Sequence, residues 1–300
     1  MTSPLSEAAS DVQSPEPPAG LPARVGVLGG GRMGAGIAHA FLVTGADVLV
    51  VERDGQSAEA ARERVESAAA KSIQRGATDA NLEEMASRLT VSVDYDAFTD
   101  RRLVVEAVPE DWNLKVASLR RIEDRLQRDA YLASNTSSLS VNGLAKELKR
   151  PGNFLGLHFF NPVPASTLIE VVLGEQTAPQ LAAEAKRWVE ALGKTAVVVN
   201  DAPGFASSRL GVAIALEAMR MVEEGVASAE DIDNAMVLGY KHPTGPLRTT
   251  DIVGLDVRLG IAEYLQSTLG DRFAPPQILR DKVARGELGR KTGRGFFDWN

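Results

Sequence analysis

The sequence predicts an α/β fold, a Rossmann-like, doubly wound and mostly parallel sheet, followed by a C-terminal all-helical domain. Two observations carry this prediction. Apolar, strand-like runs alternate with helical patterns over the first part of the chain, and the pattern beyond Pro203-Gly204 is nearly all helical. Strands that alternate with helices favour a parallel sheet with helices on both faces. The first strand leads directly into a glycine-rich turn, which is typical of this fold.

The order of the elements follows from the apolar runs. The run RVGVLG at 24–29 is the first predicted strand, a helix follows from Met33 to Thr44, and a second strand covers Asp47 to Glu52. A long helix rich in Ala, Arg and Glu is predicted from Ser57 to Arg75. The remaining apolar runs predict strands at 89–93, 102–107, 131–134, 154–159, 168–172 and 195–199.

The chain divides into three predicted segments. Residues 1–22 are rich in Pro, Ser, Ala and acidic residues, which predicts a disordered tail. Residues 23–202 form the predicted α/β domain and residues 203–300 the helical domain, with Pro203-Gly204 as the junction. The helices of the second domain are predicted at 206–224, 228–238, 256–268 and 276–285.

The composition argues against several classes of function. Shares of 44% hydrophobic and 24% charged residues are those of a soluble globular protein, and no apolar run approaches the ~20 residues that span a membrane. A net charge of −7 argues against nucleic acid as a partner. The absence of cysteine excludes thiol catalysis, and three separated histidines predict no metal site. The first residues lack the features of a signal peptide, so we expect a cytoplasmic location.

A glycine-rich turn predicts a dinucleotide site in the first domain. Gly29, Gly31 and Gly34 fit the pattern G-x-G-x-x-G between a predicted strand and a predicted helix. In this pattern the first glycine permits the tight turn, the second lets a pyrophosphate approach the backbone, and the third lets the helix pack closely on the strand. The helix N-terminus favours anions, so Arg32 and Met33, which open the helix, are also candidate cofactor contacts.

An acidic residue at the end of the second strand indicates which dinucleotide binds. Glu52 is expected to accept hydrogen bonds from the adenosine ribose hydroxyls and to repel a 2′-phosphate. This favours NAD over NADP, and Arg53 next to it softens the preference. Two alternatives stay open: a glycine-rich turn without a ligand, and a methyltransferase of related topology, which also places an acid after its second strand.

A histidine and a glutamate form the candidate catalytic pair. His158 lies at the end of an apolar strand, and Glu170 lies inside the following β-rich run, where an unpaired charge would be costly. An imidazole suits removal of a hydroxyl proton near neutral pH, and a carboxylate behind it fixes the tautomer and stabilises the imidazolium. The alternative is that His158 is a core histidine. His39 is expected to be structural and His242 to lie in a loop.

Polar residues also follow two other predicted strands. Asn135 and Ser137 come after the strand at 131–134, and loops at the carboxyl ends of strands build the site in open α/β sheets. A hydroxyl there suits a substrate oxygen, although a helix cap by Ser138 or Ser140 explains the serines equally well. Near the end of another predicted strand lie three charged residues, Glu106, Glu110 and Lys115. They are candidates for the site, and the alternative is that they are ordinary charged residues of the protein surface.

Together these motifs resemble the 3-hydroxyacyl-CoA dehydrogenase family and, within it, the unfused short-chain 3-hydroxybutyryl-CoA dehydrogenases. The resemblance covers almost all of the chain from Arg24 to Trp299. It is carried by segments that occur in the expected order, among them GGGRMGAGIAHAF, VVEAVPED, ASNTSSL, GLHFFNPVP, LIEVV, DAPGF and GRKTGRGFF.

The resemblance implies a role for individual residues. His158 matches the catalytic base of the family and Glu170 the acid paired with it. Ser137 matches a serine that contacts the 3-oxygen of the substrate, and Asn161 matches a residue near nicotinamide and substrate. The matches to cofactor and substrate contacts are Glu110, Lys115 and Lys291 for NAD, and Lys71 for the CoA phosphates.

Two positions depart from the family pattern. The family commonly reads PGF..NR, with an asparagine that lines the active site, whereas Ser208 stands at that position here. Serine reaches less far, which puts the catalytic geometry and the preferred substrate in question. Glu52 stands where many members have aspartate, so the charge is kept and the reach is changed.

The function that the resemblance implies is NAD-dependent oxidation of a short-chain L-3-hydroxyacyl-CoA, such as 3-hydroxybutyryl-CoA, to the 3-oxoacyl-CoA, and the reverse reaction. It implies an acyl-CoA substrate from fatty acid metabolism (β-oxidation) and a homodimer joined through residues 203–300, which also serve as the substrate domain. Three alternatives stay open: a dehydrogenase of a free hydroxy acid, a member that serves acyl-carrier-protein substrates or aromatic-acid catabolism, and a non-catalytic NAD-binding member.

Overall fold

The structure, a computed structural model, describes residues 20–299, and residues 1–19 of the predicted tail lie outside that range. The described residues form two compact units. Unit 1 comprises the chain up to Thr136 together with Val141–Val198, and unit 2 comprises Ser137–Ser140 together with the chain from Val199 onward. Leu21, which the predicted tail includes, is 7% exposed and belongs to the apolar core of unit 1.

Unit 1 contains an eight-stranded sheet in the order β3-β2-β1-β4-β5-β6-β7-β8. Strands β1 to β6 pair in parallel, and β7 pairs antiparallel to β6. The strands are β1 (Arg24–Leu28), β2 (Asp47–Val51), β3 (Leu89–Ser92), β4 (Leu103–Glu106), β5 (Tyr131–Ser134), β6 (Phe154–Phe159), β7 (Leu168–Leu173) and β8 (Thr195–Asn200). The predicted mostly parallel, Rossmann-like sheet is therefore confirmed, because apolar runs such as β1 and β4 are buried on both faces.

The helices of unit 1 follow the strands in sequence. They are α1 (Arg32–Val43), α2 (Gly55–Gln74), α3 (Leu82–Ser87), α4 (Trp112–Glu123), α5 (Val141–Lys146) and α6 (Pro179–Ala191). Helix α2 begins two residues before the predicted start at Ser57. The reason is that Asp54 caps it, with its carboxylate accepting a hydrogen bond from the Ser57 N–H at 2.7 Å.

Unit 2 is built from helices around its own apolar core, as predicted for a C-terminal all-helical domain. The helices are α7 (Ser207–Glu223), α8 (Ala229–Asn234), α9 (Pro246–Val253), α10 (Leu255–Leu269) and α11 (Gln277–Ala284). Ser228 caps α8 by accepting a hydrogen bond from the Asp231 N–H. The single helix predicted at 228–238 is wrong in its second half, where residues 235–239 form a π-helical turn. The core is lined by buried aliphatic residues such as Leu216, Met219 and Leu255.

Candidate active site

The carboxyl ends of the six parallel strands meet at one edge of the sheet in unit 1. Ligands of open α/β sheets bind outside that edge, so residues that follow the strands are the candidates for a site. The sequence-predicted residues on the segments that follow β1, β2, β4, β5 and β6 are Gly29, Gly31, Arg32, Met33, Gly34, Glu52, Glu110, Asn135 and Asn161.

The glycine turn between β1 and α1 is shaped by close packing at two positions and open space at a third. Gly29 has φ of 89°, a conformation that favours glycine. A Cβ atom on Gly34 would lie 1.7 Å from the Gly29 carbonyl oxygen, so no side chain fits there. A Cβ on Gly31 would have no atom within 4 Å. The backbone of the turn is therefore closely packed at Gly29 and Gly34 and has open space at Gly31.

This open turn fits a dinucleotide. Helix α1 begins at Arg32 with Gly31 as its N-cap residue, and no side chain caps it. The unpaired N–H groups and the helix dipole at such an end favour a pyrophosphate. Glu52 lies beside the turn, where its Oε1 atom accepts a hydrogen bond from the Gly30 N–H at 2.6 Å and its Oε2 atom one from the Arg53 N–H at 3.1 Å. The residues present fit the adenosine half of NAD.

His158 and Glu170 lie opposite each other on the antiparallel strands β6 and β7. The His158 Nδ1 atom lies 2.8 Å from the Glu170 Oε2 atom. His158 is 7% exposed and Glu170 is fully buried. The ring of Phe160 packs against the imidazole with a centroid distance of 4.4 Å. The sequence predicted a partner for the acid inside this β-rich run, and the antiparallel register supplies one.

The contact to Glu170 determines how the imidazole can act. A neutral ring that donates its Nδ1 proton to the carboxylate carries its lone pair on Nε2. A proton taken up at Nε2 creates an imidazolium, and the Glu170 carboxylate stabilises that charge at short distance. The pair therefore has the chemistry of a general base held in one tautomer.

A buried ion pair below the same edge was missed by the sequence reasoning. Glu106, the last residue of β4, is fully buried, and Lys115 on α4 is 1% exposed. The Lys115 Nζ atom lies 2.8 and 3.1 Å from the two carboxylate oxygens of Glu106 and 3.1 Å from the Val108 carbonyl oxygen. The alternative that Glu106 and Lys115 are surface charges is therefore wrong, because both residues are buried. The signal in the sequence was an acid that ends an otherwise apolar buried strand.

The remaining acceptor positions of Glu106 are also occupied. The Ser134 hydroxyl donates to its Oε2 atom at 2.6 Å, and the Val108 N–H donates to its Oε1 atom at 2.7 Å. Because Ser134 ends β5, this one carboxylate connects β4, β5 and α4. The cost of burying the charges is offset by complete hydrogen bonding.

Two site candidates lie next to this pair. The Glu110 Oε2 atom lies 3.4 Å from the Lys115 Nζ atom, and the Glu110 Oε1 atom accepts a hydrogen bond from the Thr136 hydroxyl at 2.7 Å. Asn135 accepts a hydrogen bond from the Phe159 N–H at 2.8 Å, which ties the loop after β5 to the end of β6, one residue from His158. The structure therefore joins Glu110 and Lys115 by a polar contact, and it places Asn135 next to Thr136, which donates to Glu110. Their contacts to NAD stay a prediction.

Other predicted residues lie elsewhere. Lys71 is exposed on α2, and Asn161 is exposed after β6. Ser137, Ser208 and Lys291 belong to unit 2, with Ser208 in the first turn of α7. The Lys291 Nζ atom lies 2.6 Å from each carboxylate oxygen of Asp256.

The segment that carries Lys291 is anchored by one buried carboxylate. Asp251 on α9 is 1% exposed and accepts hydrogen bonds from the Phe296 N–H at 2.8 Å, the Phe297 N–H at 2.9 Å and the Trp299 indole N–H at 2.8 Å. A Cβ on Gly295 would lie 2.2 Å from its Oδ1 atom. The sequence reasoning did not single out Asp251.

The two other histidines have the expected surroundings. His39 on α1 is buried, and its Nε2 atom lies 3.0 Å from the Ser72 hydroxyl oxygen. Burial, and to a smaller degree the charge of Lys194, lowers the pKa of His39. His242 lies in a loop.

Within residues 20–299, no group of three or more His, Asp or Glu side chains could hold a metal ion. Over the same range, no helix is both long and apolar enough to cross a membrane.

The chain is similar to several known dehydrogenases. The 3-hydroxybutyryl-CoA dehydrogenase of Mycobacterium tuberculosis is 40% identical over 282 residues, which cover 92% of this chain and 98% of that protein. A probable 3-hydroxybutyryl-CoA dehydrogenase of Deinococcus radiodurans is 39% identical over 277 residues, which cover 92% of this chain and 100% of that protein. The crystal structure of (S)-3-hydroxybutyryl-CoA dehydrogenase PaaH1 from Ralstonia eutropha is similar with a TM-score of 0.88 and 37% identity, covering 93% of this chain and 99% of that one.

Family models match nearly the whole chain. Residues 24–202 match the 3-hydroxyacyl-CoA dehydrogenase, NAD binding domain, and residues 204–299 match the 3-hydroxyacyl-CoA dehydrogenase, C-terminal domain. The first match covers the sheet with its glycine turn and the His158–Glu170 pair, and the second covers the helices of unit 2. On this evidence, the chain belongs to the 3-hydroxyacyl-CoA dehydrogenase family.

Proposed function

We propose that this protein oxidises a short-chain (S)-3-hydroxyacyl-CoA, such as 3-hydroxybutyryl-CoA, to the 3-oxoacyl-CoA with NAD⁺ and catalyses the reverse reaction. The observation that carries the proposal is the His158–Glu170 pair at the edge of the sheet that also bears the open glycine turn. The similar proteins named above as 3-hydroxybutyryl-CoA dehydrogenases support the substrate class.

In this proposal, His158 is the general base. Its Nε2 atom takes the proton of the 3-hydroxyl group, and Glu170 holds the ring and stabilises the imidazolium. When bound, NAD⁺ supplies the acceptor for the hydride that leaves C3. The two electrons leave with the hydride, and the hydroxyl proton stays on His158 until it passes to solvent. In the reverse direction His158 returns the proton to the oxygen.

The cofactor is proposed to be held by the turn Gly29–Gly34, where the backbone at Gly31 is open, with Glu52 beside the adenosine ribose. Glu110, Lys115, Asn135 and Lys291 are proposed to complete the binding of NAD. For Lys115, the contacts to Glu106 and to the Val108 carbonyl support an action through its neighbours.

The substrate contacts in this proposal come from four residues implied by the resemblance. Ser137 and Asn161 contact the 3-oxygen and the reacting end of the acyl group, and Ser208 takes the position of the usual asparagine. Lys71, exposed on α2, suits a phosphate of CoA because a lysine on the surface can reach an anion at little desolvation cost.

We also propose that the protein is a homodimer joined through unit 2. Several large apolar side chains of unit 2 are exposed, among them Leu210 at 63%, Leu238 at 68% and Tyr240 at 75%. Exposed apolar residues in such number indicate a surface that another chain covers. Multi-angle light scattering at micromolar concentration should give twice the monomer mass, and a monomer would contradict this part. The bacterial relatives support a cytoplasmic location as part of the proposal.

The experiment that tests the function is the oxidation of NADH by the purified protein with acetoacetyl-CoA. Parallel reactions with NADPH and with free acetoacetate serve as controls. Oxidation of NADH with the thioester alone supports the proposal. Oxidation with the free acid would favour a hydroxy-acid dehydrogenase, and NADH binding without any turnover would favour a non-catalytic member or an acyl-carrier-protein substrate.

A further inference from the structure

A lysine of unit 1 is bound to backbone carbonyl groups instead of to an acid. Lys194 lies between α6 and β8 and is half-buried. Its Nζ atom donates to the Val163 carbonyl oxygen at 2.8 Å and also to the Ser166 carbonyl oxygen. Burial lowers the pKa of Lys194, and within the described part of the chain no carboxylate offsets that effect. The two carbonyl groups are therefore what stabilises the ammonium.

Both carbonyl groups belong to the segment that joins β6 to β7, residues 160–167, which we call the β6–β7 loop. A neighbouring bond holds the end of the same loop, because the Thr195 N–H donates to the Thr167 carbonyl oxygen at 2.6 Å. A carbonyl group that is removed from water without a donor costs free energy. An ammonium has three N–H donors, so the single side chain of Lys194 can serve two carbonyl groups of the loop at once.

The β6–β7 loop packs on the helix that begins at the glycine turn. Val163 is 2% exposed and belongs to the apolar core of unit 1. A Cβ atom on Gly36 of α1 would lie 2.9 Å from the Val163 Cβ atom, so the loop and the helix are in direct contact. The charge of Lys194 also contributes to the lowered pKa of His39 on the same helix. Lys194 thus holds the loop at its contact with α1.

The conformation of this loop bears on the catalytic pair. Strands β6 and β7 form an antiparallel hairpin, and in a hairpin the loop fixes the register of the strands. His158 and Glu170 are the second pair from the loop. A shift of one residue in the register would turn the Glu170 side chain to the other face of the sheet. The hydrogen bond between His158 and Glu170 therefore depends on a loop that keeps one conformation.

We propose that Lys194 is a positioning residue for the reaction, which holds the β6–β7 loop and thereby keeps Glu170 opposite His158 and the backbone at Asn161 in place. The inference rests on the proposed function, in which His158 is the base. Lys194 acts through the loop, because its N–H donors are directed at the carbonyl groups of Val163 and Ser166.

The test replaces Lys194 by methionine, which has a similar length and no N–H donor. In Lys194→Met, amide hydrogen exchange of the β6–β7 loop, followed by mass spectrometry, should be at least about tenfold faster, since hydrogen bonds from a charged donor are lost. The kcat for 3-hydroxybutyryl-CoA should fall about 10- to 100-fold, because small displacements of reacting groups slow the chemical step. NADH affinity should change less than kcat. Lys194→Arg, which keeps the charge and N–H donors, should recover part of both losses.

A single-turnover experiment separates positioning from stability. Enzyme in excess over 3-hydroxybutyryl-CoA is mixed with NAD⁺, and NADH formation is followed by stopped flow. A displaced base lowers the rate constant of NADH formation and leaves the amplitude per folded enzyme as it is. A loss of folded protein lowers the amplitude and leaves the rate constant unchanged. For Lys194→Met we expect the first pattern.

Arg150→Met is a matched control in unit 1. The Arg150 guanidinium also binds a backbone carbonyl group, that of Gln127 at 2.6 Å, but it precedes the amino end of β6 and so lies away from the edge that bears the site. This variant should have a lower Tm, while exchange of the β6–β7 loop and the single-turnover rate constant stay those of the unaltered protein.

Two results would overturn the inference: loop exchange in Lys194→Met at the rate of the unaltered protein, or an unchanged single-turnover rate constant in that variant. Failure of the proposed function is distinguishable, because then the unaltered protein itself forms no NADH from the thioester. In that case the role of Lys194 in the reaction falls with the proposed function, and faster loop exchange would leave it a role in stability alone.

Discussion

Glu106 and Lys115 form a buried ion pair with 2.8 Å between the Glu106 Oε1 and Lys115 Nζ atoms. The pair connects the end of β4 to α4 and, through the Ser134 hydroxyl, to the end of β5. The ammonium also lies 3.4 Å from the Oε2 atom of Glu110. The charges thus fix the segments on which the proposed cofactor contacts lie.

The first prediction separates this positioning role from stability. Glu106→Leu leaves the Lys115 ammonium without its counter-ion and should lower the free energy of unfolding by about 3–5 kcal/mol. The double variant Glu106→Leu/Lys115→Met removes both charges and should recover most of that loss. Its dissociation constant for NADH, measured by fluorescence titration, should nevertheless be raised at least about tenfold, because Glu110 loses its contact with the Lys115 ammonium.

Glu123→Gln is a matched control on the same helix. Glu123 is buried on α4 and accepts hydrogen bonds from the Lys149 and Arg150 N–H groups at 2.8 and 2.7 Å. It should lower stability and leave NADH affinity as it is. If the double variant is stable and binds NADH normally, the pair serves stability alone.

The second prediction concerns the glycine turn. Gly34→Ala should lower the Tm, because the new Cβ would lie 1.7 Å from the Gly29 carbonyl oxygen. Gly31→Ala should fold normally, since no atom lies within 4 Å and its φ of −62° suits alanine. The alanine methyl group should still obstruct the pyrophosphate and weaken NADH binding. Unchanged affinity for NADH in a well-folded Gly31→Ala protein would rule out this location for the phosphates.

The third prediction concerns the base. His158→Gln should lower kcat by about 10²–10⁴-fold, the usual contribution of general base catalysis. NADH affinity should stay within about threefold, because the side chain acts on the proton and not on the cofactor. Glu170→Gln should also lower kcat, since a neutral amide no longer stabilises the imidazolium. Turnover of His158→Gln at the rate of the unaltered protein would remove His158 from this role.

The fourth prediction is a pH dependence of stability that comes from His39. Burial lowers the pKa of His39 in the folded protein below its ordinary value of 6.5. The unfolded chain therefore binds more protons, and the free energy of unfolding should fall as the pH decreases below 6.5, by at most about 1.4 kcal/mol per pH unit. Urea unfolding at about pH 7.5 and pH 5.5 measures this loss.

His39→Gln is the comparison for that measurement. The amide keeps a partner for the Ser72 hydroxyl and cannot titrate. The difference in stability between the two pH values should be smaller in the variant than in the unaltered protein. An equal difference in both proteins would assign the acid sensitivity to other groups.

The fold was largely predictable because its strands are buried on both faces. Apolar runs such as β1 and β2 have no polar residue after their first position, and glycine or proline occurs in the segments between strands. The π-helical turn at 235–239 was not predictable, because it shares the periodicity of the helix that precedes it. The short helix α3 lacks a long enough pattern to be recognised.

The candidate site was predictable where a residue type at a given spacing points to a single chemical role. The glycine turn and the histidine followed by an acid belong to this class. The ion pair of Glu106 could not be assigned from sequence, because charged residues are usually exposed and only the tertiary structure shows that this one is buried. The same holds for Asp251, whose three donors lie more than 40 residues further along the chain.

The anchor at Asp251 also has a practical consequence for anyone who purifies this protein. Loss of a few C-terminal residues to a carboxypeptidase would remove the Trp299 indole donor and leave a buried carboxylate short of hydrogen bonds. The Phe296 and Phe297 N–H groups would still donate to Asp251, so the segment that carries Lys291 would be held more weakly while the core of unit 2 stays folded. Such a sample would pass a test of helix content and, given the proposed role of Lys291, should bind NADH more weakly, so intact mass is the appropriate check of each batch.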